Sequence, residues 1–248
     1  MTEGFKGILV AVTVLLVAGC GGGGSNGATA MPGAFQAQGI AQGTTGQGSS
    51  VLDIILETGE FYSFSTAAGI TLTVDHGNLL ESGAGISANL VEFNVGGNTA
   101  LSGVMTGLFI AQSAITGTTQ IGLYQFTAFS ANYLPIYNTP ATLSTLAGTY
   151  SGVYTYGGTP VTMSVSATGA ITGTSTNCAI SGTATPRASG KNVFNLSLTL
   201  TGANCIPTGV GTATGVMVLN SESGLTRLYA GALNPAGTNG FFWIGTKQ

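Results

Sequence analysis

Apolar and polar residues alternate with a period of two through most of this chain. Ile70, Leu72 and Val74 alternate with Thr71, Thr73 and Asp75. Val161, Met163 and Val165 alternate with Thr162, Ser164 and Ser166, and Phe194, Leu196, Leu198 and Leu200 with Asn195, Ser197 and Thr199. Successive side chains on a strand point to opposite faces, so the pattern predicts half-buried strands with hydroxyls and amides outward. The turns fall at Gly96-Gly97-Asn98, Gly157-Gly158, Thr168-Gly169, Ser189-Gly190 and Asn239-Gly240. No long amphipathic helix pattern follows residue 20, and residues 141–147 fit one short helical turn. The predicted class is all-β.

Pro135 and Pro140 bracket Ile136-Tyr137-Asn138-Thr139. Proline ill suits central strands, so a boundary is expected there between β-rich domains at 51–138 and 145–248. The second reads as eight short strands near 147–156, 160–167, 170–176, 178–186, 192–201, 209–220, 225–233 and 240–246. Short connections suit an antiparallel up-and-down barrel that leaves no edge and borrows no upstream strand, with an open sandwich as the alternative. Tyr150, Tyr154, Met163, Phe194 and Met217 point to a filled interior. Phe241, Phe242 and Trp243 are consecutive and cannot all face inward, so one parity meets solvent, an interface or the other domain. The first domain carries strand patterns at 51–56, 60–65, 70–74, 86–95, 101–110, 113–118 and 120–130, with less regular alternation.

The N-terminus breaks the pattern. Lys6 precedes an apolar run from Ile8 to Ala18, which has the length of a signal-peptide core and is too short to span a bilayer comfortably. The run ends in Val17-Ala18-Gly19-Cys20. This resembles a bacterial lipoprotein signal, although Leu is commoner than Val at the first position. The resemblance implies removal of residues 1–19 and acylation of Cys20. It also implies the outer membrane, because Gly21 stands where Asp would signal inner-membrane retention. Residues 20–50 are rich in Gly, Ser, Thr and Gln, bury little, and read as a flexible tether.

Composition narrows the possibilities. Only 5% of residues are charged, net charge is −3, and there are 41 glycines. No basic patch is available for nucleic acid. A binding surface would work through hydroxyls, backbone and exposed aromatics rather than charge. With Cys20 acylated, Cys178 and Cys205 remain to form a disulfide in an oxidising compartment, or persist as two free thiols. No metal is expected, since His76 is the single histidine and no CxxC occurs. No cofactor is expected either.

Catalytic candidates are thin. Asp75-His76-Gly77-Asn78 reads as a turn, and neighbours on a strand would point apart, which disfavours a triad. Asp53, Glu57 and Glu60 read as solvent-face carboxylates, with a weak calcium site as the alternative. Arg187, Lys191, Arg227 and Lys247 read as scattered surface charges. No catalytic residue is assigned.

Three segments carry a family likeness: 145–152 (TLAGTYSG), 182–187 (GTATPR) with Cys178 upstream, and 240–247 (GFFWIGTK). Together they resemble a group of uncharacterised proteobacterial outer-membrane lipoproteins. The barrel is similar, in architecture only, to those of factor H-binding protein and transferrin-binding protein B. The resemblance implies a non-enzymatic binding or structural role at the envelope, with an unknown protein, glycan or small apolar ligand as partner. A lipocalin-like carrier is the alternative, and an envelope hydrolase ranks last.

Overall fold

The computed structural model describes residues 35–248, apart from 68–69, 95–98, 124, 155–159, 203–204 and 206–210, and leaves the side chains of 70–72 and Tyr154 undescribed. It contains two closed antiparallel barrels of eight strands each. The first is built from β1 (Gly39–Thr45), β2 (Ser50–Ile55), β3 (Glu60–Ala67), β4 (Ile70–Ser82), β5 (Gly85–Asn94), β6 (Thr99–Ile110), β7 (Ala114–Ile121) and β8 (Gln125–Tyr133). A 3-10 turn at Pro135–Asn138 and a single helical turn, α1 (Leu143–Leu146), lead into the second barrel. That barrel comprises β9 (Gly148–Tyr154), β10 (Pro160–Val165), β11 (Ala170–Ser175), β12 (Cys178–Pro186), β13 (Phe194–Thr201), β14 (Thr212–Glu222), β15 (Leu225–Leu233) and β16 (Gly240–Lys247).

Each strand pairs with its sequence neighbours, and β1 closes on β8 as β9 closes on β16. The second seam needs glycine. Gly152 lies opposite Gly245, and a Cβ on Gly152 would run into the Ile244 carbonyl. In β13 the expected alternation holds: Phe194, Leu196, Leu198 and Leu200 are buried and the intervening polar residues exposed. Tyr150, Met163, Met217, Phe241 and Trp243 fill the interior and are wholly buried.

The first barrel corrects two expectations. Residues 39–45 are its first strand, within the stretch read as tether. Backbone pairing on both sides, to β2 and β8, holds a segment whose side chains alone carry little hydrophobic signal. The proposed turn at Asp75–Asn78 is instead the middle of β4, with Asp75 opposite Ser63 and Glu92.

The period of two is right in this barrel, but the apolar parity of β2–β4 faces outward. Ile40, Leu52, Ile54, Tyr62, Phe64, Val74 and Phe93 belong to the same hydrophobic cluster as the second barrel's core. Asp53, Ser63 and Asp75, on the opposite parity, point into the first barrel and are buried. The explanation lies in β14–β16, which are buried on both faces. Val216, Val218, Tyr229, Phe242 and Ile244 form their outer face, and it packs against the first barrel. Phe64 meets Tyr229 edge-on at 5.5 Å, and Phe93 lies 4.7 Å from Phe242. Gly231 sits at the closest approach, where an added Cβ would lie 2.7 Å from the Tyr62 ring.

Both barrels therefore fall within one compact unit and share a continuous core. Phe242, the parity that could not face inward, is the contact with the other barrel.

Candidate binding surface

Large side chains pack the interior of both barrels among the described residues. The first is filled by its own apolar cluster, including Phe61, Leu79, Leu90, Met105 and Phe129. At its upper mouth a cavity of about 90 Å³ remains, lined by Ser63, Asp75, Glu92, Thr119 and Thr127 among others. Small-molecule sites run to about 300–1,000 Å³. Sequence reasoning missed this mouth, because it placed Asp53 on the solvent face and Asp75 in a turn.

Asp53, Ser63, Asp75 and Glu92 form one cross-strand row over β2–β5. Burial pushes the Asp53 carboxyl up to about 6, partly offset by a hydrogen bond from Ser63. Burial raises Asp75 well above the usual carboxylate range, reinforced by the charges of Glu92 and Asp53. Glu92 is also raised by burial. Asp53 Oδ2 and Asp75 Oδ1 are buried with no hydrogen-bond partner. The described residues contain no group of three or more His, Cys, Asp or Glu side chains arranged to hold a metal ion.

The other two members of the proposed carboxylate cluster are elsewhere. Glu57 accepts a hydrogen bond from Arg187 Nε at 2.8 Å, an ion pair that ties the two barrels together. Glu60 lies 3.3 Å from His76 Nε2 and accepts from the Tyr62 hydroxyl at 3.0 Å. The hydrogen bond with His76 is the main reason that the Glu60 carboxyl is lowered. His76 also packs on the Tyr62 ring, 4.7 Å between centroids. Among the described residues no serine, threonine or cysteine side chain is hydrogen-bonded to His76, so the structure assembles no nucleophile with it.

The basic residues are more engaged than scattered surface charges. Besides Arg187, Lys191 donates to Asn138, Arg227 pairs with Glu222 at 3.3 Å, and Lys247 donates to the Thr145 carbonyl. These contacts fasten the linker and the β14–β15 hairpin, a role that spacing along the chain does not reveal. Cys178 and Cys205 form a disulfide with a Cα–Cα distance of 4.8 Å, pinning the start of β12 to the segment after β13. Cys20 lies outside the described residues.

The exposed surface is uneven. Of the eight exposed large hydrophobic residues among those described, seven are in the first barrel: Leu80, Leu101, Val104, Leu108, Ile110, Leu123 and Phe126. They lie on β4, β6, β8 and the β7–β8 turn. An open groove of about 1010 Å³ crosses the outer faces of β4–β7 and is lined by His76, Asn78, Asn89, Val91, Val104 and Gln120, among others. Val104 is opposite Gln120, which is opposite Phe126, so an exposed ring continues the groove's wall. Among the described residues no Asp, Glu, Lys or Arg lines it. The surface is amide, hydroxyl and hydrocarbon, the chemistry that the composition called for.

No family model and no curated sequence matches the chain. Solved structures do resemble it. Isotype 1 transferrin-binding protein B from serogroup B Neisseria meningitidis is 9% identical with a TM-score of 0.32, over 81% of this chain and 59% of that one. A double mutant of the Haemophilus parasuis Hp5 transferrin-binding protein B is 6% identical with a TM-score of 0.28, over 81% and 65%. This chain thus spans about 60% of the length of the neighbours it matches. At this identity the likeness concerns barrel architecture and transfers no partner.

Proposed function

We propose that this protein is a lipid-anchored envelope protein that binds a macromolecular partner through the groove over β4–β7. The observation that carries the reading is the groove itself, on the outer face of β4–β7, lined by Val104 and by residues other than Asp, Glu, Lys and Arg, with the exposed Phe126 beside it in register. The large side chains packed inside both barrels weigh against the carrier alternative. The lone histidine, engaged with Glu60 and Tyr62, gives the hydrolase alternative no support. The anchor is Cys20 in the run Val17-Ala18-Gly19-Cys20, and Gly21 favours the outer membrane. The partner is a protein or glycan surface bound by amide hydrogen bonds and apolar contact. With no charged lining, binding should change little between low and physiological salt.

Two measurements test this. Cys20→Ser should abolish labelling by a palmitate analogue, and equal labelling would refute the anchor. Val104→Asp and Phe126→Asp should keep the β-type circular dichroism spectrum, because both side chains are exposed, yet lose the complex that wild type forms on native gels of solubilised envelopes. An unchanged complex would refute the groove.

A further inference from the structure

The first barrel's lower rim carries a second exposed feature, below the groove. Leu108 and Ile110 point outward from the end of β6 and are 62% and 68% exposed, and Leu80 on β4, which also lines the lower end of the groove, is 69% exposed. Their outer-face neighbours in register are neutral: Gly85 and Thr116 beside Leu108, Ala114 beside Ile110, and Ser87 beside Leu80. The nearby Glu81 carboxylate is engaged by the Ala37 backbone N–H.

That hydrogen bond also shows where the chain arrives. Phe35 packs against Gly59 in the β2–β3 turn, and Ala37 lines a small crevice together with Ile110 and Ala114. Phe35 and Ala37 therefore stand at the rim that bears the exposed leucines and isoleucine. Between Cys20 and Phe35 lie only 14 residues, which span at most about 50 Å when fully extended.

We infer that the rim formed by Leu80, Leu108 and Ile110 rests on the lipid bilayer, turning the groove's Phe126 end away from the membrane. The inference rests on the anchoring of Cys20 proposed above. A connection of only 14 residues to Cys20 keeps the patch near lipid, and three exposed aliphatic side chains whose cross-strand neighbours are uncharged can enter the interfacial region at modest desolvation cost. A bilayer is favoured over a second protein because that short connection keeps the membrane, rather than any other surface, near this rim.

The test uses the full lipidated protein in phosphatidylethanolamine–phosphatidylglycerol vesicles containing a lipid-borne quencher. With Cys178 and Cys205 bridged and Cys20 acylated, Ile110→Cys supplies one free thiol for an environment-sensitive fluorophore. Leu123→Cys, at the opposite rim, is the control. The expected result is a blue shift and several-fold stronger quenching at 110 than at 123. A second preparation replaces Cys20 by a hexahistidine tether held on nickel-chelating lipids, so the rim is tested whether or not Cys20 is acylated. Mass spectrometry of the native N-terminus decides acylation separately. Equal quenching at the two positions in both preparations overturns the inference. A shift at 110 in native envelopes but not in pure vesicles also overturns it, in favour of a protein partner.

Discussion

Asp53→Asn should stabilise this protein at alkaline pH and have little effect near pH 4. In the folded chain Asp53 is enclosed among β-strand side chains, with one oxygen unpartnered and Asp75 in the same row. Its carboxyl is raised from 3.8 to about 6. A group raised by folding contributes stability that is complete below its unfolded value and is lost as pH rises through its folded value. For Asp53 that window runs from about pH 4 to pH 7. A shift of about two units, at roughly 1.4 kcal/mol each, amounts to about 3 kcal/mol lost by pH 8. Asparagine keeps the shape without the charge, and removing that charge also relieves Asp75. For a chain of this size, about 2–4 °C per kcal/mol predicts a melting temperature roughly 6–12 °C above wild type at pH 8. Glu60 works in the opposite direction: its carboxyl is lowered, chiefly by the hydrogen bond with His76, so its contribution is complete at pH 8 and is lost only toward acid. Thermal melts followed by circular dichroism between pH 4.5 and 8.5 provide the assay. A wild-type melting temperature that is flat across this range, or an Asp53→Asn variant no more stable than wild type at pH 8, would refute the reasoning.

Three further outcomes are expected. Gly231→Ala should lower stability by about 1–3 kcal/mol in thermal melts, because its Cβ overpacks the Tyr62 ring, while Gly211→Ala, which meets nothing within 4 Å, should be near neutral. Removing the disulfide with paired Cys178→Ser and Cys205→Ser should cost about 3 kcal/mol in denaturant melts, from the entropy of a 27-residue loop. A fragment of residues 145–248 should aggregate or unfold non-cooperatively, since it uncovers Val216, Val218, Tyr229, Phe242 and Ile244 at roughly 2 kcal/mol each; a sharp two-state melt would contradict this.

The second barrel was legible in the sequence because its β10 and β13 follow one simple rule, apolar inward and hydroxyl outward. The adjacent residues Phe241-Phe242-Trp243 indicated that one parity must leave the interior, toward solvent, an interface or the other domain. What the pattern could not supply was the partner of that surface. Val74 and Asp75 alternate as a half-buried strand should, yet periodicity does not say which parity is inside, and the second barrel's outer face claims Val74. Asp53 and Asp75 were misplaced for the same reason: a carboxylate facing a narrow barrel mouth has the sequence signature of one facing water. β1 was hidden because Gly39, Gly43 and the threonines of its run contribute backbone pairing rather than side-chain burial. The groove was invisible as a unit, since Val104, Gln120 and Phe126 converge only through the registers of β6–β8.

The central claim is that the uncharged groove of the first barrel is the binding face. Its most direct test is a photo-crosslinking amino acid placed at Val104 and, as a control, at Thr199 on the exposed face of β13, in protein expressed in intact cells. The account predicts a discrete high-mass adduct from position 104, lost on adding Phe126→Asp, and none from position 199. Adducts of equal yield from both positions, or from neither, would contradict it.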